Sequence, residues 1–199
     1  MFVDVGANVG LFTTLGARLV RSGGEVWAYE VDDRNLTYLS ANVAANYVGD
    51  WTVIRPVGAW SSNETLVIDP RGEFRGDTRL VEQGSGARIT AVTLHEDLPE
   101  RHIRLVKIDV EGAEGHVVHG LMPRLLVPDV DFLVLEALPH LLGEEQNRRL
   151  QTLLGTLLAL GARFYLPLGN AGLLRRTSPR TVLTGSGAAH LVCRLSKRG

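Results

Sequence analysis

The sequence predicts an α/β fold: a mostly parallel sheet of about seven strands, helices on both faces, and an antiparallel hairpin at the C-terminal end. Three observations predict it. Short apolar runs alternate with helix-periodic segments over residues 2–57 and again over 104–160. The first apolar run breaks into a glycine turn, Gly6 to Gly10, that leads straight into a helical pattern. Two further apolar runs close the chain and are expected to pair antiparallel.

In chain order, Phe2 to Val5 is a short run that stops at Gly6, as a buried strand would. Val9 to Val20 carries apolar residues at helical spacing and ends at Ser22-Gly23-Gly24, a chemically suitable stop. Glu25 to Glu30 is a second strand. Asp32 or Asp33 can cap the helix over Arg34 to Tyr47, which sets Leu36, Leu39, Val43 and Ala44 on one face. Trp51 to Val57 is a third strand. From Ser61 to Val92 the chain turns rich in Gly, Ser, Thr and Arg, and short alternating runs there suggest antiparallel excursions rather than a second domain. The α/β pattern then returns: strand Arg104 to Val110, helix Ala113 to Leu126, strand Asp131 to Glu136, and an amphipathic helix Glu144 to Leu160 that stops at Gly161. Arg163 to Leu168 and Ala189 to Leu195 are the closing strands. Gly169 to Gly172 reads as a hairpin turn.

Composition narrows the function classes. A chain of 199 residues that is 45% hydrophobic can build one sizeable core, so a single domain over 1–199 is expected. The net charge of −1 supplies no field that would draw nucleic acid or an anionic membrane, so neither is expected as a partner. Cys193 is the only cysteine, which excludes an internal disulfide and points to a cytoplasmic protein. Neither a signal peptide nor a membrane span is visible. Oligomeric state is not readable.

Strand, glycine turn and helix together form a Rossmann-like device for holding a nucleotide-like ligand. Gly6 and Gly10 make the turn. Glu30, twenty residues past Gly10 at the end of the next strand, can accept hydrogen bonds from both hydroxyls of an adenosine ribose. The dinucleotide pattern G-x-G-x-x-G is not met, because Asn8 stands where the second glycine should be. A phosphate-free ligand has no need of that bare backbone. Asp4 would serve an ammonium group and repel a pyrophosphate. S-adenosylmethionine fits both conditions. Val57 and Ala59, at the end of the third strand, fall near where adenine is expected, and Val31, just past Glu30, and Asp109 are further expected cofactor contacts.

These segments are shared with a known family. Phe2-Val3-Asp4-Val5-Gly6-Ala7-Asn8-Val9-Gly10 resembles the opening motif of the FkbM family of S-adenosylmethionine-dependent methyltransferases. Lys107-Ile108-Asp109-Val110-Glu111-Gly112-Ala113-Glu114 resembles its second signature. Tyr29 to Asn35 is similar to its ribose-binding segment, with Val31 in place of the more usual proline. The resemblance implies a seven-stranded methyltransferase sheet and O-methylation of a hydroxyl on a sugar, polyketide or other small natural product. The family also carries a helical segment before the first motif that helps close the pocket. This chain begins at the strand itself, so that segment is expected to be absent.

Methyl transfer to an alcohol requires an aligned oxygen and a destination for its proton. The C-terminal strand ends supply Asp109, Glu111 and Glu136. Asp109 and Glu136 are expected to flank the acceptor, with or without Mg²⁺ between them. Asp109 or Glu111 is the expected base, and His140 is the alternative. Clustered carboxylates should raise one another's pKa. Glu111 and Glu114 could instead cap the helix that begins near Gly112. His116 and His119, one helical turn apart, could join them in a metal cluster, although the spacing matches no strong zinc motif. Two rival readings remain: a nicotinamide-dependent oxidoreductase, and a non-catalytic nucleotide-binding module.

Overall fold

The structure is a computed structural model that describes residues 1–69, 79–137, 139–168, 172–184 and 189–195. It is built on a mixed sheet with helices on both sides. β1 (Phe2–Val5) lies near the middle of that sheet and is buried along its whole length. The chain runs on through α1 (Leu11–Val20), β2 (Val26–Tyr29), α2 (Asp33–Ala45) and β3 (Thr52–Arg55). β4 (Gly58–Ala59), β5 (Glu64–Asp69), β6 (Arg79–Val81) and β7 (Arg88–Val92) follow, then the short α3 (Leu94–Asp97) and β8 (Ile103–Ile108). The remainder is α4 (Glu114–Leu125), β9 (Val130–Ala137), α5 (Pro139–Ala159), β10 (Arg163–Leu168), β11 (Leu173–Thr177), α6 (Pro179–Leu183) and β12 (Ala189–Arg194).

The main sheet has eight strands in the order β11-β10-β12-β9-β8-β1-β2-β3. From β9 to β3 the five neighbours are parallel. β12 then pairs antiparallel with β9, β10 with β12, and β11 with β10. The expected count of seven is therefore corrected to eight, and the sheet is mixed. The extra strand, β11, is exposed along almost its whole length. An edge strand with no buried face carries no alternating pattern, and Leu173-Leu174-Arg175-Arg176-Thr177 has none. Of the expected turn before it, residues 169–171 lie outside the described residues.

Two other boundaries differ. The expected strand Trp51 to Val57 is shortened to β3, and the two residues just beyond it, Gly58 and Ala59, form β4. β3 stays in the main sheet, while β4 pairs with β7 in a separate four-stranded sheet ordered β4-β7-β5-β6. The last long helix begins at Pro139 rather than Glu144, which suits proline's fixed φ at a helix start. His140 thus lies in a first helical turn rather than a loop, and its side chain lies outside the described residues.

Local chemistry accounts for the elements around the site. Asp32 caps α2, its carboxylate accepting from the amides of Arg34 and Asn35. The core fills both faces of the sheet. Leu39, Val43, Ala17 and Val26 pack on one side, and Val117, Leu121, Leu133, Leu150 and Leu154 on the other. α1 turns Thr13 and Ala17 inward and leaves Leu11, Leu15 and Leu19 exposed. Among the described residues no helix is long and apolar enough to cross a membrane.

Candidate functional site

The C-terminal ends of the parallel strands open onto a cavity of about 270 Å³. In an open α/β sheet ligands bind at that edge. Gly6 and Asn8 line it from the turn after β1; Glu30 and Val31 from the connection after β2; Asn35 from the first turn of α2; Val57 and Ala59 from the stretch after β3; and Asp109, Glu111 and Glu136 from the ends of β8 and β9. Leu80 of the second sheet completes one wall.

The two turn glycines are required by packing. Gly6 has φ of 76°, and a Cβ there would lie 1.8 Å from the Asp109 carbonyl oxygen. Gly10 has φ of 89°, and its Cβ would meet Leu39 of α2 at 2.5 Å. These close approaches are to neighbouring protein, so glycine serves to bring strand and helix together. Asn8 also sits at positive φ, 51°. Its amide donates to Glu30 Oε2 at 2.7 Å, while Oε1 of Glu30 accepts from the amides of Val31 and Asp32. Three backbone donors hold this carboxylate in place at the cavity wall.

Asp4 lies elsewhere than at the cavity wall. It is fully buried, accepts from the Thr13 hydroxyl at 2.6 Å, and faces the Lys107 ammonium at 3.4 Å. Burial pushes its carboxyl above the usual range, with Lys107 and Thr13 pulling the other way. Lys107 also approaches Asp109 Oδ2 at 3.2 Å and lies 5.0 Å from the centre of the Phe12 ring. One ammonium therefore bridges the buried aspartate and the cavity aspartate. In the sequence Lys107 opens the second signature motif. Its signal was a lone cation at an inward position of a central parallel strand.

Asp109, Glu111 and Glu136 come together. One oxygen of each lies within 4.8 Å of the others. They do not all shift alike. Glu136 is raised to about 8, first by its hydrogen bond to Asp109, then by burial and by the charges of Asp109, Glu111 and Glu114. Asp109 moves the opposite way. Burial pushes it up, but the hydrogen bond with Glu136 and the Lys107 ammonium outweigh that and hold it below its ordinary value. This corrects the expectation of mutual raising. Two carboxyls in contact share one proton, and the nearby lysine decides which of them stays ionised. Glu111 has φ of 50° beside Gly112 at 99°, an uncommon backbone state for a residue with a side chain. His190 stands opposite Glu136 in the β9–β12 pairing, and its charge helps to lower Asp109. The sequence does not mark His190, because its strand partner is 54 residues away and pairing distance cannot be read from the chain.

The other candidates have structural partners. Glu114 is buried at the start of α4, where Oε1 accepts from the amides of Val110 and Gly112. Trp60 stacks on His116, ring centres 3.7 Å apart. His116 is hydrogen-bonded to Ser61 and Gln146 and approached by Arg149, and burial pushes it down to about 4. The carboxylate trio contains no histidine, so the Asp/Glu/His metal cluster is not formed among the described residues. Tyr29, which lines the cavity, donates to Asp97 at 2.7 Å, and Arg55 pairs with the same carboxylate. Asp97 thus ties the ends of β2 and β3 to α3.

Known proteins share the fold. A family model described as the methyltransferase FkbM domain matches residues 4–164. No protein of curated function matches the chain. The solved FkbM methyltransferase of Methylobacillus flagellatus is similar over 96% of this chain, at 18% identity and a TM-score of 0.57. The chain spans only 42% of that protein's length. An O-methyltransferase from Bacillus cereus, solved in complex with SAH, is similar over 98% of this chain and 73% of its own, at 11% identity and a TM-score of 0.56. An rRNA methylase from Streptococcus thermophilus is similar over 98% and 86%, at 12% identity and a TM-score of 0.56. At such identities the likeness shows a shared fold.

Proposed function

Because the chain belongs to the FkbM methyltransferase family, we propose that it binds S-adenosylmethionine in this cavity and methylates a hydroxyl of a small molecule such as a sugar or polyketide-type product. The observation that carries the reading is the Asp109–Glu136 carboxyl pair, which faces the same cavity as the glycine turn and Glu30. The lining suits this cofactor. Glu30 offers a fixed acceptor for ribose hydroxyls, and Val31, Val57 and Ala59 offer apolar walls for adenine. Asp109 and Glu111 carry more negative charge than Lys107 offsets, which attracts a sulfonium and repels a pyrophosphate. That argues against the nicotinamide reading.

When bound, S-adenosylmethionine supplies the electrophilic methyl group. The protein's share is orientation and the proton. Asp109, kept ionised by Lys107, accepts a hydrogen bond from the acceptor hydroxyl and orients it. Glu136 takes the hydroxyl proton once its own has left, so the rate rises with pH along a limb near 8. Of the described part of the excursion over residues 61–92, Leu80 lines the cavity. His140 remains the alternative base. Mg²⁺ held by Asp109 and Glu136 is a second reading, favoured by the spacing of the carboxylate trio. The Lys107 ammonium, 3.2 Å from Asp109, already supplies a cation there, so we prefer the proton reading.

Calorimetric titration tests the cofactor: S-adenosylhomocysteine should bind and NAD should not, and the reverse result overturns the proposal. Asp109→Asn and Glu136→Gln should each lower kcat roughly 10²- to 10⁴-fold with S-adenosylhomocysteine affinity retained. Full activity in both variants would reject the pair. Activity that disappears with chelator and returns with Mg²⁺ would favour the metal reading.

A further inference from the structure

We propose that the opposite, N-terminal edge of the main sheet holds a second binding site, a cleft that takes a compact polyanion bearing phosphate or carboxylate groups between Arg163, Arg194 and Arg104. The cleft measures about 370 Å³ and is lined by these three arginines, Phe132, Asp131 and Gly161. It lies at the far ends of the strands from Gly6, Glu30 and Asp109, so it forms no part of the cavity described above.

Strand register builds it. Arg163 at the start of β10 stands directly opposite Arg194 at the end of β12, and Arg194 stands opposite Phe132 of β9. Residues paired across strands point to the same face, so both guanidinium groups and the aromatic ring share one side. Arg104 of β8 adds a third cation, its guanidinium 5.1 Å from the centre of the Phe132 ring. Both Arg163 and Arg194 are exposed.

Charge is the second argument. Other arginines along this edge have a carboxylate partner: Arg101 has Glu25, Arg124 has Asp129, and Arg104 has Asp131. Asp131 is also met by His102 at 3.2 Å. Among the described residues no ion pair joins a carboxylate to Arg163 or Arg194. Like charges directly opposite in a strand pair repel and weaken it. An anion between them removes that repulsion, and two planar guanidinium forks match the oxygen geometry of phosphate or carboxylate. The volume suits a small molecule. The Phe132 ring offers an apolar surface beside the charges.

Pyrophosphate and citrate are the probes, titrated at constant ionic strength against chloride. Either should raise the melting temperature saturably, and the preferred one reports phosphate or carboxylate chemistry. The double variant Arg163→Gln/Arg194→Gln should melt higher than wild type without anion. It should bind the preferred probe at least about tenfold more weakly and keep its affinity for S-adenosylhomocysteine. The effects of S-adenosylhomocysteine and the probe should add in wild type. The site assignment is overturned by absence of saturable binding of both anions at millimolar concentration, by equal binding in the double variant, or by competition with S-adenosylhomocysteine. Binding of a single-stranded RNA oligonucleotide through the same arginines, with no response to either small anion, would also overturn it.

Discussion

A single proton shared by Asp109 and Glu136 is the most consequential detail at the scale of residues. Glu136 titrates near 8 while an unfolded glutamate titrates near 4.3. A carboxyl raised on folding binds more protons in the native state between those values, so its contribution to stability is fully present below the unfolded value and is lost as pH rises through about 8. The groups facing it are Asp109, Glu111, Glu114 and His190, with Lys107 behind Asp109. The melting temperature of wild type should therefore fall more steeply between about pH 5 and 8 than that of Glu136→Gln. Parallel pH slopes for the two proteins would show that the pair does not share a proton. Lys107→Met probes the same coupling from behind. It removes the charge that keeps Asp109 ionised, so the pH–rate limb should move while S-adenosylhomocysteine affinity changes less. At the turn, Gly6→Ala should be among the most damaging small substitutions, because the added methyl meets the Asp109 carbonyl and φ is positive. Strain of about 1–3 kcal/mol from φ alone adds to that clash, and denaturant unfolding would measure it.

Among the elements, some formed as their local chemistry dictated and others did not. Helix α2 was legible because Asp32 caps it and Leu39 and Val43 recur on one face. Asp32→Ala should cost about 0.5–2 kcal/mol by thermal melting. Helix α1 was legible for a less direct reason. Leu11, Leu15 and Leu19 announced its period, yet Thr13 and Ala17 are the residues turned to the sheet. Periodicity fixes the spacing but not which side meets the core. Edge strand β11 gave no signal because it has no buried face. The change of sheet after β3 was hidden because β4 is only two residues long, and pairing partners alone tell a continuing strand from one that changes sheet.

At the scale of the whole molecule, Cys193 is a probe of global unfolding. It is buried in the core, and burial raises its thiol to about 12. A thiol reagent should modify it only through unfolding, and S-adenosylhomocysteine, by binding the folded state, should slow that labelling. Labelling at the rate of a free thiol would place Cys193 in a locally open region instead. The sequence by itself determined the βα alternation, the glycine turn with Glu30 one strand later, and the two motifs that mark the family. All depend on spacing along the chain, and local backbone chemistry writes that spacing directly. Tertiary structure decided the rest. It set Lys107 between Asp4 and Asp109, shifted the two carboxyls of a pair in opposite directions, and placed His190 opposite Glu136. It also brought Arg163, Arg194 and Phe132 into one row. These contacts join strands that are distant in sequence and adjacent in the sheet. Their energies come from burial and charge at a few ångströms, which no spacing rule along a single chain records.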